Sequence, residues 1–384
     1  MKSKLLSIYL PQFHAIPENN EWWGEGFTEW TNVRRGHPFY PGHYQPRQPL
    51  HDDYYDLSNL SVLERHTREA RKAGIYGFCF YHYYFQGRTL LERPIEDYRD
   101  KSREQFPYCL IWANQSWTRT WYRANMGNKV LLQQEYGKKA DWEKHFYYLL
   151  PFFKDNRYIK VNNKPMYIIY LPQDIPCRRG MYERWQEMAK ENGFDGLYLV
   201  AMNTGAGKDG RHRLYDAFME FEPLSTIHND SSWRRCLHDW KTVHVAKVRF
   251  GKSDVRNWIW AKNAFSYRYL CKCIEKKAEK LGPQTFPGVF AGWDNSSRKD
   301  EEGLIVTRST PYRFQKHLHR ILSIAGKQKK EFVFLNAWNE WSEGAYIQAD
   351  QKYGWGYLRA VKEAVGQHGK SEIMRCVKAG KIVL

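Results

Sequence analysis

Eight apolar runs of five to eight residues, rich in aromatic and β-branched side chains, recur along this chain with amphipathic stretches between them. Each is continuous rather than alternating, the pattern of a strand buried on both faces of a parallel sheet. They are Leu5–Leu10, Tyr76–Tyr83, Tyr108–Ala113, Met166–Leu171, Gly196–Met202, Ala217–Phe221, Phe286–Ala291 and Phe332–Ala337. Pro287 and Gly288 weaken the seventh. Helical spacing fits Leu60–Ala73, which stops at Gly74, and then Ile95–Gln105, Asp141–Phe153, Tyr182–Asn192, Trp258–Leu281, Thr310–Ala325 and Tyr357–Gly366. Eight strand–helix units predict an α/β protein, a single (β/α)8 TIM-type barrel. An open doubly wound sheet would carry glycines in its first strand–helix turn, and Leu10–His14 has none. Without a repeat, a Gly/Ser linker or a low-complexity tract, one domain is expected over residues 1–384.

Composition matters here mainly for partners. Aromatic residues make up 16% of the 384, too many for a disordered or collagenous chain. The net charge is +18, and half of it falls between Trp233 and Lys280, where 13 Lys/Arg face four Asp/Glu. This stretch belongs to a basic, aromatic-rich insertion at about residues 224–282, which also carries Trp240, Trp258 and Trp260. One reading docks it on an anionic membrane or a lipid-diphosphate-linked glycan, with Trp anchoring beside cations. The other makes it a solvated helical face with its Trp in the core. A nucleic-acid partner is not expected, because no recognised motif accompanies the charge.

No run approaches the roughly 18 apolar residues of a spanning helix. The seven cysteines are odd in number and scattered, as in a reduced, cytoplasmic protein. Cys271 and Cys273 lack a second ligand pair, so no metal is expected. Neither a D-x-D nucleotide-sugar motif nor a dinucleotide fingerprint is present, so no cofactor is expected either.

Barrel enzymes carry their reacting groups at the C-terminal ends of the strands. After the first strand comes Glu21 to Trp30, including Glu29 and Trp30. His82, Tyr83 and Tyr84 end the second. Trp112 ends the third, and Asn114, Gln115, Trp117, Arg119 and Trp121 follow it. Asn203 follows the fifth, Glu222 the sixth, and Trp293, Asp294 and Asn295 the seventh. The eighth leads into Trp338, Asn339, Glu340, Trp341, Ser342 and Glu343. Tryptophan, amide and carboxylate recur at nearly every end. Sugars offer C–H faces that stack on aromatic rings and hydroxyls that need donors and acceptors. Glycosidic chemistry needs two carboxyl groups of different proton affinity. Glu340 and Glu343, three apart, can face one side of a tight turn, where crowding would keep a proton on one of them. The alternative is a helix entry with acids at its positive dipole end.

Longer motifs make the chain familiar. YLPQFHAIPEN (Tyr9–Asn19), WWGEGFTEWTNV (Trp22–Val33), GFCFYHYYFQGRTLLERP (Gly77–Pro94), IWANQSWTRTW (Ile111–Trp121), NNKPMYIIY (Asn162–Tyr170) and AWNEWSEGAYIQAD (Ala337–Asp350) run from the first strand to the last. The chain resembles the WbsX-like family, also described as glycoside hydrolase family 99-like. That family is associated with bacterial surface-polysaccharide gene clusters and is often labelled a glycosyltransferase. Its hydrolase relatives are (β/α)8 enzymes that act inside α-mannoside chains with retention. By that resemblance Glu340 would deprotonate a sugar 2-hydroxyl to give an anhydro-sugar, and Glu343 would act as acid and then as base. Ser342 stands where those hydrolases place a histidine, and Gln348 where they tend to carry an acid.

The expected substrate is an O-antigen or capsule polysaccharide or its lipid-linked precursor, met in the cytoplasm or at the inner face of the membrane. The expected substrate-binding residues are Glu29, Trp30, His82, Tyr83, Trp112, Asn114, Trp117, Glu222, Trp293, Asp294, Asn339 and Trp341. A non-catalytic glycan-binding or assembly protein is the alternative, and it would have no need of both acids.

Overall fold

The computed structural model of the protein describes residues 2–119, 129–205, 212–229 and 264–378, the side chains of 212 and 369–378 excepted. The eight expected runs become strands β1 (Lys4–Tyr9), β2 (Gly77–Phe85), β3 (Tyr108–Trp112), β4 (Lys164–Ile169), β5 (Tyr198–Asn203), β6 (Ala217–Glu220), β7 and β8 (Phe332–Asn336). β7 comes in two halves, Thr285–Phe286 and Gly288–Phe290. The break falls at Pro287, which has no N–H to give a ladder. The first half pairs with β6, Met219 opposite Phe286, and the second pairs with β8, Gly288 opposite Phe334. Both ladders are parallel, as are those joining β1 to β8, β1 to β2 and each later pair through to β6. The ring therefore closes through the broken strand, and the fold is a parallel α/β barrel. Gly288 permits the closure, since a Cβ there would lie 2.0 Å from the Glu220 carbonyl oxygen.

The expected helices surround the ring. Leu60–Ala73 starts on Asn59, whose side chain accepts from the Ser61 N–H, and stops at Gly74 in the left-handed region. Pro311–Lys327 starts on Thr310 in the same way. The last helix, Gly356–Lys378, runs through Gly366, where the sequence suggested a stop. One interior glycine costs only about 1 kcal/mol, which packing against Pro311–Lys327 offsets.

Parity along the strands sets what the barrel presents. Tyr81 and Tyr83 of β2 face the interior, whereas Phe78 and Phe80 pack outward with Tyr9 and Phe106. Of the insertion, Leu224–Asn229 and Tyr267–Ala278 are helices, and Ala264–Ser266 is a strand paired with Ile305–Thr307. Trp233, Trp240, Trp258 and Trp260 lie outside the described residues, as do the first residues of the expected Trp258–Leu281 helix and Trp121. Among the described residues no helix is long and apolar enough to cross a membrane.

Candidate active site

The segment after β8 folds into a small hairpin. Asn339–Glu340 pairs antiparallel with Ala345–Tyr346, and a single turn, Trp341–Glu343, joins them. Gly344 closes that turn with φ 61°, and a Cβ on it would crowd the Asp294 backbone at 3.0 Å. The turn brings Glu340 and Glu343 to one cleft of about 370 Å³, lined also by Gln12, Tyr81, Tyr83, Tyr170, Phe221, Trp293 and Arg298.

Arg298 organises the acids. Its Nε donates to Glu29 Oε1 at 3.0 Å and its Nη1 to Glu343 Oε1 at 2.8 Å. Its Nη2 stands 3.7 Å from Glu340 Oε2, an oxygen with no hydrogen-bond partner among the described residues. Burial disfavours the cation, but Glu29, then Glu343 and Glu340, outweigh it and raise the guanidinium further. Burial pushes the Glu29 carboxyl up, yet Arg298 more than offsets this and holds it below the usual range. Burial, then the like charge of Glu343, drives Glu340 well above the usual carboxylate range despite Arg298. Burial also raises Glu343, against Arg298. Three carboxylates and one cation in a buried site leave room for a shared proton.

The arginine is itself held. It lies on the short helix Ser296–Lys299. Ser297 Oγ donates to the Ser342 carbonyl at 2.8 Å, and Arg35 donates to the Ser297 carbonyl at 2.9 Å. A second, narrower cleft meets the first at Gln12 and Arg298, with Trp23, Phe27, Glu29 and Trp117 among its walls.

Glu340, Glu343, Glu29, Tyr83, Trp117 and Trp293 thus border these two adjoining clefts, and the other expected residues do not. His82 and Trp112 sit on the opposite parity of β2 and β3, facing the helices. His82 Nε2 meets His145 Nε2 at 3.0 Å, and Trp112 Nε1 donates to the Tyr84 carbonyl at 3.2 Å. Asn114 donates to and accepts from the backbone of Leu171 at 2.8 Å, tying two loops together. Asn339 does the same for Leu10, at 2.9 and 2.8 Å. Trp30 Nε1 donates to the Tyr55 carbonyl at 2.8 Å within the core. Trp341 stacks on Tyr346 at 3.8 Å.

The two remaining carboxylates are consumed by protein partners. Asp294 Oδ2 accepts from His43 at 2.8 Å and Gln45 at 2.9 Å, with Arg47 at 3.4 Å, and Oδ1 accepts from Ser296 Oγ at 2.6 Å. Glu222 is fully buried, bound to Thr226 Oγ1 at 2.9 Å and Lys277 Nζ at 2.7 Å. Among the described residues no group of three or more His, Cys, Asp and Glu side chains could hold a metal ion.

Residues 5–361 match the family described as Glycosyltransferase WbsX. The chain belongs to the WbsX glycosyltransferase family. It is also similar to protein WxcX of Xanthomonas campestris pv. campestris, 33% identical over 372 residues in strain B100 and over 373 in strain ATCC 33913. Each match covers 95% of this chain and 50% of WxcX, so the chain spans about half the length of these relatives. Among solved structures it resembles the GH99 endo-alpha-mannosidase from Bacteroides thetaiotaomicron, with TM-score 0.56, 12% identity and coverage of 96% of this chain and 98% of that one. A "Glycoside hydrolase-like protein" gives TM-score 0.56 at 14% identity, covering 95% and 94%. These likenesses establish the barrel.

Within this WbsX family chain, sequence reasoning missed Arg298, Gln12, Tyr81 and Tyr170. Gln12, Tyr81 and Tyr170 lay inside recognisable motifs, but which strand residues face inward is set by the barrel's register. Arg298 gave no signal, because it stands beyond the strand end on the short helix Ser296–Lys299, whose first residue is held by Asp294. The two motif departures fall outside the cleft lining. Ser342 is fully buried. Gln348 lies behind Trp341, accepting from its Nε1 at 2.7 Å and from the Tyr55 hydroxyl at 2.9 Å.

Proposed function

We propose that this protein is a carbohydrate-active enzyme that makes or breaks glycosidic bonds of a bacterial surface polysaccharide or its precursor, with Glu340 and Glu343 as its acid–base pair. The observation that carries this reading is the placement of a buried and a half-buried carboxyl group, Glu340 and Glu343, on one cleft under one shared arginine. A binding protein needs no such arrangement, because crowding three carboxyl groups around one guanidinium costs stability. The aromatic walls supply stacking faces for sugar rings. WbsX family membership and the GH99-like barrel point the same way.

In the sequence of events the resemblance implies, ionised Glu340 takes the proton of the sugar 2-hydroxyl. The freed oxygen attacks C1, the bond from C1 to the leaving oxygen breaks, and Glu343 gives that oxygen its proton. An anhydro-sugar results. Glu343 then takes a proton from water or an acceptor hydroxyl, whose oxygen attacks C1 and reopens the ring, and Glu340 returns its proton to the 2-oxygen. Hydrolase and transferase differ only in which oxygen attacks in the second step.

A reversed division of labour has one observation in its favour. Arg298 bonds Glu343 and comes no nearer than 3.7 Å to Glu340, so the geometry favours the proton on Glu340. That would make Glu340 the acid and Glu343 the ionised partner. The experiment is product analysis after incubation with the native polysaccharide, with and without acceptor glycans. New reducing ends signal hydrolysis, and extended acceptors signal transfer. A glycan bound but never altered would refute the enzyme reading.

A further inference from the structure

A second cavity opens on the other side of the Asn339–Tyr346 hairpin. It measures about 620 Å³ and shares no lining residue with the cleft of the two acids. Trp341 forms part of its wall while Glu340 and Glu343 face the cleft, so the hairpin is the partition between them. At its mouth stands Trp355, 44% exposed. An indole exposed at a cavity rim offers a flat apolar face to a ligand entering there.

The remaining walls are polar and of mixed charge. Arg65 gives one nitrogen to Asp53 Oδ2 at 2.6 Å, and its side chain stays 39% exposed. Glu69, one helical turn along, lines the same cavity, half-buried and without an ion pair or hydrogen bond among the described residues. An anion entering here would meet Asp52, Asp53 and Glu69. A simple cation would find Asp53 already engaged by Arg65 and Asp52 by Gln351, and an acyl chain would strip water from polar groups it cannot satisfy. A neutral polyol suits every wall. Each hydroxyl both donates and accepts, so a vicinal pair can give to Glu69 and take from Arg65 while the C–H face lies on the indole. The volume is within the usual range of about 300–1,000 Å³ for small-ligand sites.

We propose that this cavity is a second saccharide-binding site, taking one or two neutral sugar residues stacked on Trp355 and hydrogen-bonded between Glu69 and Arg65. The choice of a sugar rests on the carbohydrate reading above. A polymer held there is kept at high effective concentration beside the cleft.

The test is fluorine NMR on the full chain labelled with 5-fluorotryptophan, titrated with the methyl glycosides of glucose, galactose, mannose, rhamnose and fucose. The Trp355 signal, assigned with Trp355→Phe, should shift saturably with at least one of them. The shift should persist in a Glu340→Gln/Glu343→Gln double variant, so the site stands whatever those acids do. Glu69→Gln should weaken binding about tenfold, as loss of a charged hydrogen bond does, with an unchanged melting temperature. A Trp355 signal unmoved by every probe overturns the second site. If the Trp293 signal moves in the same titration, the catalytic reading survives that failure. Undiminished affinity in Glu69→Gln also overturns the site.

Discussion

Nη1 of Arg298 lies 2.8 Å from Oε1 of Glu343. The same guanidinium comes no nearer than 3.7 Å to Glu340, so one cation is shared unequally between the two acids. Unequal sharing separates the two proton affinities, which is what an acid and a base working side by side require.

Arg298 should therefore set the pH range of turnover. Its charge opposes the upward shift of both acids. Arg298→Gln removes that opposition, so both limbs of the pH–rate profile should move to higher pH. Turnover at the optimum should fall by roughly 10²-fold, as when one preorganised electrostatic group is lost. Arg298→Lys keeps the charge but not the three-way geometry, and should shift the limbs less. Steady-state rates across pH decide the matter, because a purely structural arginine would lower the rate without moving the limbs.

Asp294 should prove structural. It joins His43, Gln45, Arg47 and Ser296 beneath the hairpin, fully buried. Asp294→Ala leaves Arg47 without its carboxylate and the His43, Gln45 and Ser296 contacts unmade, and should destabilise the fold by about 3–5 kcal/mol in chemical denaturation. Loss of glycan affinity at unchanged stability would return Asp294 to the substrate.

The His82–His145 pair should limit acid stability. Burial pushes His82 down to about 3, against about 6.5 when unfolded. Between those values the unfolded chain binds a proton that the folded one refuses. The stabilisation is complete above about pH 6.5 and drains as pH falls towards about 3, at up to about 1.4 kcal/mol per pH unit for this group. Denaturation midpoints at stepped pH should show this slope in the wild type and a shallower one in His82→Asn. Identical slopes would contradict it.

The basic insertion yields a prediction from sequence. If it docks on anionic lipid, liposome binding should weaken with added salt, since exposed charges are screened beyond about 8 Å at physiological ionic strength. Neutralising Arg234, Arg235, Lys247 and Arg249 together should reduce binding without unfolding the chain. Equal binding to neutral and anionic liposomes would remove the lipid.

The barrel was legible because its strands are continuous apolar runs, and the boundaries of Leu60–Ala73 were legible from Asn59 and Gly74. The site was legible only where the chain itself places side chains together. Glu340 and Glu343 share a turn, so their spacing alone brought them to one cleft. His82 and Tyr83 were both expected to face the substrate, but neighbours on a strand point to opposite sides. The parity that assigns Tyr83 inward is set by the barrel's register, which no local pattern reveals. Trp30, Trp341 and Asn339 follow strand ends, yet their polar atoms bond Tyr55, Gln348 and Leu10. Arg298 reaches Glu29, Glu340 and Glu343 from a distant segment, and only the closed ring brings those segments together.

The central claim is that Glu340 and Glu343 perform the chemistry, and turnover of Glu340→Gln and Glu343→Gln on the native polysaccharide tests it most directly. Each change keeps the shape and removes the ionisable group. Each should lower turnover by at least the roughly 10²-fold of a lost general acid or base, with melting temperature and glycan affinity little changed. A substrate whose leaving group needs no proton should rescue only the variant that lacks the acid. Rescue of Glu343→Gln assigns the acid as the family resemblance implies, and rescue of Glu340→Gln assigns it as the unequal reach of Arg298 suggests. Full turnover in both variants would contradict the claim and make the pair structural.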